Sequence, residues 1–569
     1  MLRHYILSAL LAVSSSAVVT NAQQNCTRLF SSSSSSHDEN KINDTDTEQK
    51  YCIKDDPRYG CDEGKLCIKL YGETYHTCQG GNAKTSQETH CFDKTMLEFM
   101  ETSGFPGASV AVLKNQGEVA YSQGYGIMDM GRNGRKFMPW TPSRIASISK
   151  TIAVLATLRL VEQGKVDLQE KVFGRGDGQD GILIVSNVED PRVFDITVEH
   201  LMRHQGGWDE VSLGGTGISD PFFALFYFGD IILNEDGTGI LCMSTFDSEE
   251  ECGRTGEEWM VEIGEKLGKA GPFDRHDLID YMVQHQPLAF APGTATSYSN
   301  LGMSVLASVI EERVGKPYEA AVRELFLSQA CVDEQQMYQG KTLRPSDTAT
   351  VEPQYYSDMG LVPSVFNFSE LVPAPYSFFM EPKVAEGGMV ASAQELLQMI
   401  SYATEPFCAS TDKVDALGKR CLLNASSMEM AKTVSSTRHG QELGMGLVKG
   451  SFPGDFWNGG NLDGSQARLY MSGDWAWAFV SNRNADPGDE PFYNAFTSAI
   501  ECVESWNASF PSLPQSSSED NEQPDEVEED AGKGEESGDT TTSHAEHKNR
   551  SALTKLTTAC AAIIGLFLC

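Results

Sequence analysis

The chain is short of positive charge: its 569 residues carry 44 lysines and arginines against 80 aspartates and glutamates, a formal net charge of −36 at pH 7. Such a surface excludes nucleic acid and anionic membrane surfaces as partners, since both are held through basic side chains. Long apolar runs are scarce too. The C-terminal run, residues 556–569, is 14 residues long, short of the roughly 20 that a membrane-crossing helix needs. No basic stop-transfer cluster follows it. Residues 23–51 hold almost nothing apolar and include the serine run 31–36, which predicts a flexible leader. Residues 52–91 have too few large apolar residues to fold without cross-links and are expected to be a small disulfide-rich module. Residues 511–548 contain the acidic stretch 519–539 and are expected to be a disordered stalk.

What the two ends do contain points to export. Residues 1–22 have Arg3, an apolar run over 5–19 and the small-residue finish Thr20-Asn21-Ala22, the pattern of a signal peptide. Near the other end, small residues around Ser543 and Ala545 are followed by a polar spacer and the apolar tail. Residues 549–569 therefore read as a GPI-attachment signal, which predicts an extracellular, cell-surface protein touching the membrane only through a lipid anchor. Of 14 cysteines, Cys560 and Cys569 lie in the tail, which leaves an even set of twelve for disulfides. Spacing suggests Cys242 with Cys252 and Cys408 with Cys421. Pairing among Cys26, Cys52, Cys61, Cys67, Cys78 and Cys91 stays open. Sequons at Asn25, Asn43, Asn367, Asn424 and Asn507 fit a glycoprotein. The Arg-Gly-Asp triplet at Arg175 to Asp177 reads as a coincidence.

Residues 92–510 form the expected main domain. A helix near 92–100 precedes a hairpin, 108–114 and 118–125 around Asn115-Gln116-Gly117. A second hairpin, 466–471 and 475–480, turns at Ser472-Gly473-Asp474 and precedes a last helix over about 492–506. Between them lie a helix from Thr151 to a stop at Gly164, a helix over 301–314 ending at Gly315, and a helix that Ser392 and Glu395 would open as a capping box. Long insertions fall at 174–181 and 209–275, the second expected to cover one rim of the site. Strands at both ends with helices between predict an α/β (α+β) fold: an antiparallel sheet flanked by N- and C-terminal helices, with an inserted all-helical region.

The chemistry is expected at Arg144-Ile145-Ala146-Ser147-Ile148-Ser149-Lys150. The helix behind it is apolar on nearly all sides, so it belongs in a core. Ser147 would then sit at a buried helix N-terminus, where free N–H groups favour negative charge. Lys150 lies one turn on, the spacing a Ser/Lys nucleophile pair needs. Alone, Ser147 reads better as an ordinary N-cap serine than as a nucleophile. A second S-x-x-K, Ser410 to Lys413, lies in a polar stretch between two cysteines and reads as loop. Tyr298-Ser299-Asn300, directly after the Pro292-Gly293 turn and before a helix, would bring a phenol and an amide to face the nucleophile. Asn458-Gly459-Gly460 adds glycines that let a strand edge come close to a substrate backbone. The bland readings are a loop tyrosine and a plain turn.

Together these motifs resemble the serine β-lactamase-like superfamily of class C β-lactamases, D-alanyl-D-alanine carboxypeptidases and related esterases, over most of residues 92–506. The resemblance rests on Pro106-Gly107-Ala108-Ser109-Val110-Ala111-Val112, Ile145-Ala146-Ser147-Ile148-Ser149-Lys150-Thr151, Leu201-Met202-Arg203-His204-Gln205-Gly206-Gly207, Tyr298-Ser299-Asn300-Leu301-Gly302 and Gly387-Gly388, in that order. It implies a β-lactamase/transpeptidase-like fold and, without metal or cofactor, a covalent acyl-enzyme on a small ester, amide or peptide-like substrate. Ser147 then resembles the acylated nucleophile, Lys150 the amine that deprotonates it and Tyr298 the proton shuttle. Asn300 would orient Lys150 and the substrate. Asn458, Gly459 and Gly460 would line the substrate, and the N–H groups of Ser147 and Asn461 would form the oxyanion hole. His204 resembles a structural histidine. For Lys150 to act as a base, its pKa must fall by roughly three units from about 10.4. Asn458 departs from the family's usual Lys or His, so the substrate would meet no positive charge there unless Arg468 supplies it. A non-catalytic surface binding protein and an acyltransferase are the rival readings.

Overall fold

The computed structural model describes residues 26–30, 66–68, 77–79 and 87–510, except 116, 130–134, 177–180, 209–229, 234–238, 243–255, 270, 272, 347–351, 359, 410–418, 438–441, 447–455 and 486. The signal segment, most of the leader, the stalk, the tail, Ser410, Lys413, Asp177 and the Cys242/Cys252 pairing thus fall outside the described residues.

Two local hairpins supply the main sheet. Strands β1 (Gly107–Lys114) and β2 (Glu118–Gly126) turn through Asn115 and Gly117, both at positive φ. Strands β3 (Phe456–Leu462), β4 (Ser465–Ser472) and β5 (Trp475–Ser481) follow more than 300 residues later. The order is β3-β4-β5-β1-β2, antiparallel throughout, so the two ends of the domain meet where β5 pairs with β1. The β5 sequence Trp475-Ala476-Trp477-Ala478-Phe479-Val480 alternates large with small because helices cover both faces. Trp477 and Phe479 lie against Phe496 and Phe492 at ring distances of 5.7 and 5.1 Å. Ala476 and Ala478 join Ala111, Leu113, Leu396 and Leu397 in the other core.

Helices α1 (His90–Ser103) and α5 (Asp489–Glu501) cover the aromatic face, with Phe99 and Phe492 4.9 Å apart. Helix α4 (Ala393–Ile400) covers the small-residue face. Between β2 and β3 the chain builds the helical region, with α2 (Ser149–Glu162) and α3 (Asn300–Val314) at its centre. Every residue of α2 from Ser149 to Leu160 is buried except Arg159, which bears out its all-round apolar pattern. Gly104, Gly164 and Gly315 stop α1, α2 and α3 in left-handed conformation at φ 81°, 65° and 71°.

Several expectations are corrected. Residues 26–30 of the leader dock on the domain: Phe30 is buried, Leu29 N–H donates to Gln398 Oε1 (2.8 Å), Arg28 pairs with Glu395, and Cys26 bonds Cys331. Cys91 belongs to α1 and bonds Cys502 beyond α5, so the 52–91 module does not own it. Loops of 305 and 411 residues are closed by these bonds. Within the module, the hairpin Leu66–Ile68/Thr77–Gln79 places Cys67 opposite Cys78. The Cys408–Cys421 bond is present as expected. Ser392 caps α4 by accepting the Glu395 N–H (3.3 Å), but no return bond closes a box, because the Glu395 carboxylate takes Arg28 and the Asp333 N–H. The segment 457–460 lies in a strand, as the strand-edge reading expects and against the plain turn. Of the insertion at 209–275, the hairpin Asp230–Leu233/Gly239–Cys242 and the helix Gly256–Leu267 are described, and the helix packs on Arg275–His285. Asn367, Asn424 and Asn507 are all exposed.

Candidate active site

Ser147 sits in the single 3-10 turn Ala146–Ile148 that opens into α2. The turn is pinned from three sides. On the first, strand Ser143–Arg144 pairs with Met389–Ala391, and Ser149 Oγ accepts the Met389 N–H at 3.1 Å. On the second, the buried Arg144 guanidinium lies over the rings of Tyr355 (4.2 Å) and Phe378 (5.0 Å) and donates to the Pro375 carbonyl (2.5 Å). On the third, β3 presses so close that a Cβ on Gly460 would lie 2.0 Å from the Ile145 carbonyl oxygen. Held this way, Ala146 adopts φ 45°, a conformation that costs a non-glycine residue roughly 1–3 kcal/mol and that a packed surround must enforce.

Lys150 is buried one turn later. Its Nζ lies 3.1 Å from Ser147 Oγ, 2.8 Å from Asn300 Oδ1, 2.6 Å from the Glu386 carbonyl and 4.6 Å from the centre of the Tyr298 ring. Asn300 is the first residue of α3 and Tyr298 lies two residues before it. Ser299 caps that helix by accepting the Gly302 N–H at 3.0 Å, which is the local reason the three-residue motif sits where it does. Tyr298 OH is 2.7 Å from Ser147 Oγ. One hydroxyl thus meets an amine and a phenol that come from positions three and 151 residues away.

His204 sets the Tyr298 ring. The two rings stack at 4.9 Å and 23°, and His204 Nδ1 accepts the Ser299 N–H at 3.2 Å. Burial first, then the nearby Lys150 charge, push its pKa down to about 3, so it is neutral with the proton on Nε2. A pKa lower when folded than the usual ~6.5 means stability present above that value and lost as pH falls toward 3. The buried acids Glu386 and Asp463, raised chiefly by burial to about 7 and 6, act in the opposite sense, losing their contribution as pH rises. The difference between wild type and His204→Gln isolates the histidine. Its melting-temperature gap is expected to narrow steadily between about pH 6.5 and 4, and a constant gap would show that His204 takes up no proton burden on folding.

The β3 residues do something other than expected. Asn458 is expected from the sequence to line the substrate. Its amide instead donates inward, to Thr151 Oγ1 (2.7 Å), the Gly446 carbonyl (3.0 Å) and the Ser147 carbonyl (3.4 Å), and ties β3 to the start of α2. Gly460 approaches the nucleophile turn itself, and a Cβ on Gly459 would meet the Trp457 ring at 2.7 Å. Asn461 Oδ1 accepts from Arg468 (3.1 Å). Arg468 is buried and paired with Asp489, so it is not the substrate-facing cation that Asn458 lacks. Gly460→Ala is expected to destabilise by about 1–3 kcal/mol and to slow labelling of Ser147, because backbone cannot step aside as a side chain can. Unchanged melting and labelling would show that the turn moves freely.

Sequence reasoning missed Glu386 and Arg144. Glu386 acts on Lys150 through a carbonyl, which every residue has, so only its place before Gly387-Gly388 hinted at it. Arg144 stood in the motif, but a buried arginine has no sequence signature apart from its neighbours.

A family model described as Beta-lactamase matches residues 92–499. The chain belongs to the beta-lactamase family. Among curated members, esterase EstB of Burkholderia gladioli is 27% identical over 225 residues, 38% of this chain and 43% of that one. An N-acetylmuramyl-L-alanine amidase of Bacillus subtilis is 28% identical over 250 residues, 42% and 44% of the two chains. The chain therefore spans less than half the length of these relatives. Among solved structures, a D-amino acid amidase from Ochrobactrum anthropi SV3 aligns over 74% of this chain and 100% of that chain, at 15% identity and a TM-score of 0.49.

Proposed function

We propose that this family member is a serine hydrolase that cleaves an ester or amide through a covalent acyl-enzyme on Ser147. The observation that carries this is the single hydroxyl held at once by Lys150 Nζ and Tyr298 OH, at 3.1 and 2.7 Å. A neutral lysine amine has two N–H donors and one lone pair. Asn300 Oδ1 and the Glu386 carbonyl accept the two protons, which leaves the lone pair for the Ser147 hydroxyl proton. The geometry suits an amine that takes that proton as Oγ bonds the acyl carbon. Negative charge then develops on the acyl oxygen, and the N–H groups of Ser147 and Asn461 are assigned to it, each worth roughly a hundredfold or more in rate. Tyr298 passes a proton to the departing alcohol or amine as the acyl bond breaks. It later takes one from the attacking water, whose oxygen bonds the acyl carbon, and as the acid leaves Lys150 returns its proton to Ser147 Oγ.

Esterase and amidase activities among the relatives support the substrate class. The internal engagement of Asn458 and the Arg468–Asp489 pair favour an uncharged acyl group over one bearing a carboxylate. The signal-like start and the short apolar tail assign the protein to the cell surface on a lipid anchor. The test combines a panel of neutral and carboxylate-bearing esters and amides with a fluorophosphonate label located by mass spectrometry. Turnover of neutral substrates with the label on the Ser147 peptide supports the assignment. A label elsewhere, or none alongside no turnover, refutes it. For location, release by phosphatidylinositol-specific phospholipase C is expected, and retention with the tail peptide still present would overturn the anchor.

A further inference from the structure

Glu386 is an acid where a fold alone gains nothing from one. Its side chain is fully buried, Oε2 accepts the Ser304 hydroxyl at 2.7 Å, and Oε1 has no hydrogen-bond partner among the described residues. A half-satisfied buried carboxyl costs stability, and such groups concentrate where chemistry needs them. The same residue's carbonyl accepts from Lys150 Nζ at 2.6 Å. Helix α3 links the two contacts: Asn300 holds the amine, and Ser304, one turn further on the same face, holds the carboxyl. We propose that the Glu386 carboxyl is the buried counter-charge of Lys150, a positioning residue that sets the pH at which the amine can accept the Ser147 proton.

This rests on the acyl-enzyme reading of Ser147 and Lys150. The groups that bear on the carboxyl are Lys383 from the preceding turn, Lys150 from α2, Ser304 from α3 and Tyr318 from the helix Tyr318–Val322; beyond Tyr318 stand Arg275 and Glu311, and beyond Lys150 stand His204 and Tyr298. Burial raises Glu386, and Lys383 first, then the Ser304 hydrogen bond and Lys150, oppose it, which leaves its pKa at about 7. The carboxyl therefore changes charge within the range where a lysine base must be switched. Ionised, it holds the Lys150 proton more tightly. Protonated, it lets that proton go.

The test is the pH dependence of kcat/KM on a neutral p-nitrophenyl ester for wild type, Glu386→Gln and Ser304→Ala. Gln keeps the acceptor for Ser304 and can never ionise, so Lys150 loses its counter-charge at every pH. The acid limb is expected to move down by about one pH unit, a roughly tenfold gain on its steep part. The change should lie in kcat, with KM held within about twofold. Ser304→Ala removes a bond that favours the carboxylate, so its limb should move the same way by less. It decides the matter should Glu386→Gln not fold. A purely structural Glu386 would lower the rate at all pH values and leave the limb in place. Fluorophosphonate labelling of Ser147 over the same pH range separates the two readings. Labelling present with an unmoved limb overturns the role of Glu386 alone. Labelling absent from Ser147 in every protein overturns the acyl-enzyme and this proposal with it.

Discussion

Ser147→Ala is expected to leave a folded protein with neither turnover nor covalent label, a loss of about 10⁴ or more in kcat/KM. The structure gives the change little reason to unfold anything. The turn is held by Arg144, by the Ser149–Met389 bond and by the close approach of Gly460, none of which uses the Ser147 hydroxyl. What disappears is an oxygen that lies within hydrogen-bond reach of both Lys150 and Tyr298. Ser410→Ala is the matched control, since its S-x-x-K lies in a stretch of polar sequence between two cysteines; that substitution should leave rate and label intact. Equal labelling of the Ser147→Ala protein would falsify the assignment outright.

Tyr298→Phe should cost about 10² to 10⁴ in kcat, the range usual for a general acid/base group, with melting almost unchanged. The ring keeps its stack on His204 and its place beside Lys150, so only the phenolic proton carrier is lost. Because Lys150 still faces Ser147 Oγ, the variant should keep labelling with a phosphonate whose leaving group needs no proton. Its deficit should be greatest for amides and alkyl esters, whose leaving groups do need one. A deficit in kcat/KM, which reports acylation without deacylation, that is independent of the leaving group would place Tyr298 in packing rather than in proton transfer to the leaving group.

Much of the domain was legible because its signals are local. Gly104, Gly164 and Gly315 end helices in the left-handed conformation that glycine adopts at little cost, and that preference belongs to the residue. The alternation in β5 announced a strand, and the apolar run behind Ser147 announced a buried helix, since each periodicity is a short-range geometric property. The site was legible in the same degree. Ser147 and Lys150 are one turn apart, and Tyr298 and Asn300 flank one helix cap, so each half is a local unit.

The sequence by itself determined these units, their order and the membership of a family, because helix ends, hairpin turns and a three-residue spacing depend on neighbours in the chain. Only the tertiary structure decided how the units meet. It brought Tyr298 to Ser147 across 151 residues and the Glu386 carbonyl to Lys150 across 236. It turned the Asn458 amide inward to Thr151 and Gly446, although its strand looked ready to face a substrate. It drew Cys26 and Cys91 out of the N-terminal cysteine-rich region to Cys331 and Cys502, and gave Glu395 to Arg28 instead of to its own helix cap. In each case a polar group or a thiol had several partners allowed by its chemistry. The choice fell to whichever partner the packed core carried within reach, and that depends on register and helix placement set by residues hundreds of positions away.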